Sequence, residues 1–264
     1  MSWRLLLDSP ADGATNMAID TAILEAVAAG DAPPTLRLYG WAPPCLSIGA
    51  LQSVERTLFA PGLPGRDWVR RPTGGRALLH DRELTYAVVA REDDPFVVGG
   101  IGPAYRRIAA ALAAGLTQIS VAGLAVAPTG RRTPRPSGPA CYDTASPYEL
   151  TAGGRKLVGS AQVRRSGALL QHGSIPLSLD RRALAERLAV ADREALVAAL
   201  TREATALDEV LQPPPTWQAL CAAIVDAFRA VVGALTPAAL TPGERERVAA
   251  LTAFYRSEGW NYRR

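Results

Sequence analysis

Lysine is almost missing from this chain. Of its 29 Lys and Arg residues, Lys156 is the single lysine and the other 28 are arginine. Arginine keeps its charge at every working pH, whereas a lysine can lose its proton when its surroundings favour that. A general preference for arginine explains the missing lysines but not the one that remains. Two explanations stand side by side: chance retention on a solvated turn, or a task that needs a proton to move. Cysteine is scarce too, with Cys45, Cys141 and Cys221 far apart in 264 residues. Three thiols cannot all pair within one chain, and no CxxC spacing suggests zinc, so a reduced compartment and no metal are expected. Apolar runs long enough to span a bilayer are missing, since the Ala-rich stretches are cut by Arg or Gly. The first ten residues carry Arg4 and Asp8 instead of a signal-peptide apolar run, so a cytoplasmic, unexported protein is expected. A net charge of +4 and the lack of a basic helix interleaved with aromatics argue against nucleic acid. That mild positive balance can still steer an acidic protein partner. Neither the phosphate-cradling GxxxxGK[ST] loop nor a GxGxxG fingerprint occurs, so no cofactor is expected.

What is present is ordinary for a globular protein, with 48% apolar and 20% charged residues. Thr15 or Asn16 is expected to cap a first helix whose face holds Met17, Leu24, Val27 and Ala28. Thr35 to Trp41 alternates like a strand, with Leu36 and Leu38 on one face and Arg37 and Tyr39 on the other. Short strands are expected at Cys45–Gly49 and up to Arg71, then a Gly loop over Pro72–Gly75, and a strand from Glu83 to Val89. Ala104–Leu116 reads as a helix. Residues 128–139 hold four prolines, three arginines and two glycines and read as a long loop that a partner could order. Tyr148–Leu179 reads as a meander with turns at Gly153–Gly154 and Ser166–Gly167. Helices are expected at Arg182–Leu200, Trp217–Val232 and Gly243–Tyr255, before an aromatic tail at Trp260–Asn261–Tyr262. The expected class is α/β (α+β): mixed sheets flanked by helices. Residues 1–235 would form one catalytic domain, with a core from about 30, and 236–264 a helical segment packed on it.

Two constellations carry chemistry. The first runs from Arg70 through Arg71, Thr73, Gly74, Gly75 and Arg76 to His80 and Asp81. Adjacent glycines let backbone N–H groups approach a ligand, and three arginines favour anionic or carbonyl-rich ligands. A tight hairpin with a solvated basic rim is the alternative. The second joins Cys141-Tyr142-Asp143 to Tyr148-Glu149-Leu150, to Lys156, Gly159, Ser160 and Gln162, and to Gln171-His172-Gly173. Cys45 lies in an apolar strand and Cys221 in an apolar helix, where burial as small hydrophobes is the default. Cys141 follows a Pro/Gly-rich loop and precedes polar residues, the setting of an accessible thiol. His80 and His172 suit the roles of wall or base equally.

The runs RRPTGGRALLHDRELTYAVV, ACYDTASPYEL, GRKLVGSAQVRRSGALLQHGSI and EGWNYRR resemble the octanoyltransferases of bacterial lipoate assembly, of the type that charges the glycine cleavage H protein. So do the opening WRLLLDSPADGATNMAIDTAIL and the segment LRLYGWAPPCLSIG. The likeness keeps its order along nearly the whole chain and is weaker over 91–140 and 185–250. It implies the biotin/lipoate protein ligase catalytic fold. It implies Cys141 as the acyl-thioester nucleophile and Lys156 as the residue that lowers its pKa. Arg71, Thr73, Gly74, Gly75, Arg76 and His80 would line the acyl pocket, with Gly159, Ser160, Gln162 and His172 as further substrate contacts. Tyr142 stands where phenylalanine is expected. The implied partners are octanoylated acyl carrier protein as donor and a lipoyl-accepting protein such as the H protein as acceptor.

A free thiol has a pKa of about 8.5, so only ~3% is thiolate at neutral pH, and a nearby ammonium raises that share. An acceptor lysine at about 10.4 must also be deprotonated. On this reading Lys156 stabilises the thiolate, loses its partner and its proton once Cys141 is acylated, and then serves as base. Three other readings share these residues. An ATP-dependent lipoate ligase needs no cysteine at 141 and would carry glycine in place of Arg76. An amidotransferase moving octanoyl from H protein to other lipoyl domains would also use a thioester. A non-catalytic carrier-binding module would leave Cys141 inert.

Overall fold

A computed structural model describes residues 2–60, 62–126, 140 and 149–263, so Cys141 and the loop expected over 128–139 lie outside the described residues. In chain order the elements begin with β1 (Trp3–Leu7), α1 (Gly13–Ala29), β2 (Thr35–Tyr39), β3 (Cys45–Ile48), α2 (Val54–Thr57), β4 (Trp68–Arg70), β5 (Leu78–His80) and β6 (Glu83–Arg91). They continue with α3 (Ile101–Gln118), β7 (Leu124–Val126), β8 (Leu150–Ala152), β9 (Arg155–Arg165) and β10 (Ala168–Pro176). The rest are α4 (Arg181–Arg187), α5 (Arg193–Glu203), α6 (Leu207–Val210), α7 (Trp217–Val232), β11 (Leu235–Pro237), α8 (Pro242–Arg256) and α9 (Glu258–Asn261).

The larger sheet has the order β11-β1-β2-β6-β10-β9-β8-β7, and β4-β3-β5 form a smaller one. In the larger sheet β1 runs parallel to β2 and β11, and the remaining pairs are antiparallel. Both faces of this sheet are covered. Leu36, Leu38, Leu84, Tyr86 and Val88 pack on one side with Ile108 and Leu112 of α3 and Ile224 and Phe228 of α7. Tyr39, Ala87, Val89 and Leu170 pack on the other with α1 and with Leu251 and Tyr255 of α8. The alternation of β2 is therefore real, but the face of Arg37 and Tyr39 meets α1 rather than water, and all five residues are buried.

Several boundaries differ from expectation for local reasons. Asp12, not Thr15 or Asn16, caps α1: its backbone is extended and its side chain accepts from Thr15 N. Asn16 lies inside the helix and donates to the carbonyls of Ala11 and Gly40. Wedged between the sheet and α8, α1 buries residues all round its axis instead of one stripe. The helix expected from 182 to 200 is two helices, because Asp180 and Asp192 each cap a separate start. At the far end α9 returns to the smaller sheet. Asn261 Oδ1 accepts from Arg70 N, Asn261 O from Arg70 Nε, and Trp260 Nε1 donates to Arg70 O. The aromatic tail thus clamps the strand that leads into the glycine loop.

Candidate active site

A cleft with about 730 Å³ of empty space, part of it open to solvent, lies between the two sheets. Ser47, Leu78 and His80 of the smaller sheet face Lys156, Gly159, Ser160 and Ala161 of β9 and His172, Gly173 and Ser174 of β10. Met17 of α1, Tyr39 and Trp41 close it from the side, and Arg71, Gly75, Arg76 and Glu149 complete the wall. Of the expected site residues, Arg71, Gly75, Arg76, His80, Lys156, Gly159, Ser160 and His172 line the cleft. Thr73, Gly74 and Gln162 are not part of that lining, and Cys141 lies outside the described residues.

The glycine loop owes its shape to close approach. Gly75 has φ +89°, and a Cβ on Gly49 would lie 2.0 Å from the Gly75 carbonyl oxygen. The arginines expected to face a ligand largely bind the loop itself. Arg71 donates through Nε and Nη2 to Gly74 O (3.1 and 2.8 Å), through Nη2 to Arg76 O (2.8 Å), and through Nη1 to Ser47 O and Oγ (3.2 and 3.0 Å). Arg70 is buried and donates to the carbonyls of Gly49, Ala50 and Gln52. These two are clasps rather than a basic rim, because carbonyls at the ends of a folded-back loop need donors and a guanidinium offers five. Arg76 reaches the carbonyl of Ala140, which also bridges to Ala77.

Both histidines are wall residues with each ring nitrogen occupied. His172 Nδ1 lies 2.9 Å from Asp20 Oδ2, and its Nε2 2.7 Å from Thr73 Oγ1. Burial, the largest influence, holds His172 below its ordinary 6.5 although Asp20 pulls the other way. A neutral ring donates from Nδ1 to the carboxylate, so Thr73 donates to Nε2. Burial also disfavours charge on Asp20, but Arg37 and His172 outweigh it and keep that carboxyl below its ordinary range. Arg37 donates to both Asp20 and Asp8, and Tyr39 donates to Asp20. On the other wall His80 Nδ1 meets Glu83 Oε1 at 2.8 Å and Nε2 meets Ser47 Oγ at 2.7 Å, while Trp41 stacks on the ring at 3.9 Å. Glu83 also accepts from Ser174 and Thr85. Each ring is therefore committed to a buried relay, which removes the free-base role that spacing left open.

Gln162 Nε2 donates to Gln171, Gln171 to the Tyr86 phenol, and that phenol meets Ser160 Oγ at 2.6 Å. Gln162 is thereby linked through Gln171 and Tyr86 to the wall residue Ser160. Burial pushes the Tyr86 phenol up to about 12, so it stays a neutral hydroxyl at physiological pH.

Lys156 is 1% exposed, which rules out the solvated turn. Its Nζ lies 2.7 Å from Glu149 Oε1, and Glu149 is buried with it. Lys156 therefore has a carboxylate partner of its own beside the turn at Gly153–Gly154, contrary to the expectation that acylation of Cys141 would leave it without one. Glu149 stands in the second constellation of the sequence without a role of its own, and its pairing with Lys156 is visible only in the fold. Asp20, Arg37, Ser47 and Trp41 were missed for the same reason: Asp20 and His172 are 152 positions apart, and only the fold joins them. The other described cysteines are unfit nucleophiles. Cys45 and Cys221 are buried, and burial pushes the Cys45 thiol far up and that of Cys221 to about 12.

Residues 12–229 match the lipoyl protein ligase A/B catalytic domain. Octanoyltransferase LipM of Moorella thermoacetica is 45% identical over 271 residues, covering 100% of this chain and 98% of that one. Octanoyltransferase LipM of Kyrpidia tusciae is 42% identical over 272 residues, covering 100% and 99%. Among solved structures, the bi-partite lipoate protein ligase of Thermoplasma acidophilum superposes with a TM-score of 0.79 at 22% identity, covering 100% of this chain and 98% of that one. A lipoate-protein ligase A bound with ATP superposes at 0.78 with 24% identity, covering 99% of each. At such identities these two structures speak for the fold alone.

Proposed function

This chain belongs to the lipoyl protein ligase A/B catalytic domain family, and from that premise we propose that it is an octanoyltransferase working through a thioester on Cys141. The donor is octanoyl-acyl carrier protein, and the acceptor is a lysine of a lipoyl-accepting protein such as the glycine cleavage H protein. The observation that carries this reading is the single lysine, buried and ion-paired in the wall of a cleft with apolar and aromatic sides. Full-length relatives named octanoyltransferase support it, and so does the burial of Cys45 and Cys221, which leaves Cys141 as the candidate thiol. Ala140, the residue before it in sequence, is buried and tied to the glycine loop through Ala77 and Arg76.

In the mechanism the apolar tail of the acyl group occupies the cleft between Met17, Trp41 and Leu78, and Lys156 favours the thiolate of Cys141. The thiolate attacks the donor carbonyl, the C–S bond to pantetheine breaks, and the acyl group rests on Cys141. The acceptor amine then attacks that thioester. A thioester donor is already activated, so ATP adds nothing to the first step.

Mass spectrometry after mixing with octanoyl-acyl carrier protein should show one octanoyl group on Cys141, released by hydroxylamine, and Cys141→Ala should lose adduct and turnover. Candidate acceptors added one at a time then separate H protein from other lipoyl domains. An adduct on Cys45 or Cys221 overturns the reading. Use of free octanoate or lipoate that depends on ATP would make the enzyme a ligase.

A further inference from the structure

The pairing of Lys156 with Glu149 poses a problem that the proposed reaction must solve. A lysine held against a carboxylate at 2.7 Å is stabilised as an ammonium, whereas aminolysis of a thioester needs a base. The acceptor lysine arrives as an ammonium and must shed two protons to become an amide. A neutral site with nowhere to put them would stall.

We propose that Glu149 is a positioning residue of the transfer step, holding Lys156 as an ammonium in the resting enzyme and taking its proton when the acceptor amine attacks. This rests on the proposed acyl-enzyme on Cys141 and on the base role that the sequence suggests for Lys156. A proton passes from Lys156 Nζ to Glu149 Oε1, and neutral Lys156 accepts one proton from the acceptor ammonium. The amine nitrogen forms its bond to the thioester carbon, the C–S bond breaks, and the second proton goes to the leaving sulfur of Cys141. The products are the amide, the Cys141 thiol, the Lys156 ammonium and a protonated Glu149. The acceptor's positive charge is thereby retained as one net charge on the pair until Glu149 gives its proton to water, which restores the resting Lys156 ammonium and Glu149 carboxylate.

The charged and titratable surroundings fit a relay through this pair rather than around it. Arg71, Arg76, His80, His172 and Tyr39 share the cleft wall. Arg71 is spent largely on loop carbonyls, each histidine has both nitrogens bonded, and the Tyr39 phenol, raised well above its ordinary range chiefly by burial, donates to Asp20. On the far side of β9, Arg155 is bonded to Glu209 of α6, with Arg181 on the same carboxylate, so Glu209 is held by two guanidinium groups. Among these described groups, Glu149 is the carboxylate that directly pairs with Lys156.

The single lysine makes the test direct. Protein labelled with carbon-13 at lysine Cε, made without a lysine-bearing tag, yields one lysine signal to titrate. Glu149→Gln should move its midpoint down by about one pH unit or more, since an amide keeps the shape but not the charge. In single-turnover experiments Glu149→Gln should slow release of the octanoyl group to the acceptor by ~10²-fold, the lower end for losing a general base. Acylation should change no more than about three-fold, with acceptor KM unchanged, and Glu149→Asp should restore most of the loss. An unmoved lysine signal in Glu149→Gln overturns the holding role. Equal slowing of both half-reactions, or a Glu149→Asp variant as slow as Glu149→Gln, overturns the proton-transfer role. A wild type that never forms an acyl-enzyme defeats the proposed function and the proton-transfer role together, while the lysine titration still decides whether Glu149 holds Lys156.

Discussion

At the scale of single residues, the contrast between lysine and arginine is the sharpest feature of this chain. Position 156 is buried and paired, the setting where arginine with its fork of donors usually serves better. Lysine there keeps one property arginine lacks, the ability to become neutral. Lys156→Arg should therefore keep its pairing with Glu149 and lose only a few-fold in the rate of acyl-enzyme formation. Release to the acceptor should fall ~10²–10⁴-fold, because a guanidinium cannot take the proton. Single-turnover acylation and deacylation across pH check this, and the acylated variant should accumulate. If both half-reactions slow alike, Lys156 is not the base. The histidines teach the opposite lesson. They look chemical in a sequence with two of them, yet each is locked by a carboxylate and a hydroxyl, and their task is to hold the wall.

At the scale of elements, the last turn of the chain supports the glycine loop across the whole length of the sequence. Asn261 is buried in α9, accepts from Arg70 N, and donates to the carbonyls of Tyr255 and Ser257. Asn261→Ala would leave Arg70 N and the Tyr255 carbonyl short of a partner, at about 1–3 kcal/mol for each one that water cannot reach, while the Ser257 carbonyl keeps the backbone N–H of position 261. Urea denaturation should show a loss of at least about 2 kcal/mol with an unchanged slope. Arg229→Ala, which removes an exposed pair with Asp226, should cost less than about 0.5 kcal/mol and serves as the comparison. A cost for Asn261→Ala no greater than for Arg229→Ala would mean that α9 merely rests on β4. The motif EGWNYRR was legible as part of a resemblance, but its contact with Arg70 was not, since nothing local in either segment names the other.

At the scale of the whole molecule, the buried charge network links folding to pH. His172 is held below 6.5 in the folded state, while the unfolded ring titrates near that value. Below pH 6.5 the unfolded chain binds a proton that the native chain refuses, so stability must fall as pH drops. The contribution is complete above 6.5 and is lost as pH falls through the depressed native value. Asp20, Asp12, Glu209 and Glu244, also lowered, act further down, below ordinary values of 3.8 and 4.5. Denaturation midpoints should therefore decline between about pH 6.5 and 5, and His172→Gln should flatten that decline while lowering stability at pH 7. An identical slope in the variant would assign the pH dependence to other groups.

Local chemistry determined much of this protein directly from its sequence. The period of apolar residues placed β2, β6 and α7, glycine pairs placed the β8–β9 turn, and apolar surroundings marked Cys45 and Cys221 for burial, because each signal lies within a few residues of its effect. Composition alone singled out Lys156. Only the tertiary structure decided what faces what. The second face of the main sheet became interior because α1 and α8 cover it, so an alternating pattern that reads as half-exposed holds a buried arginine. The loop arginines turned inward because the folded-back carbonyls of their own loop, together with those of β3 and the segment after it, are the nearest acceptors. Glu149 became the partner of Lys156 because the antiparallel pairing of β8 and β9 brings two residues on either side of a glycine turn together, with both side chains buried in the cleft wall. Burial and register are properties of the assembled chain, and they convert a lone lysine from a curiosity of composition into a buried, paired group in the wall of the cleft.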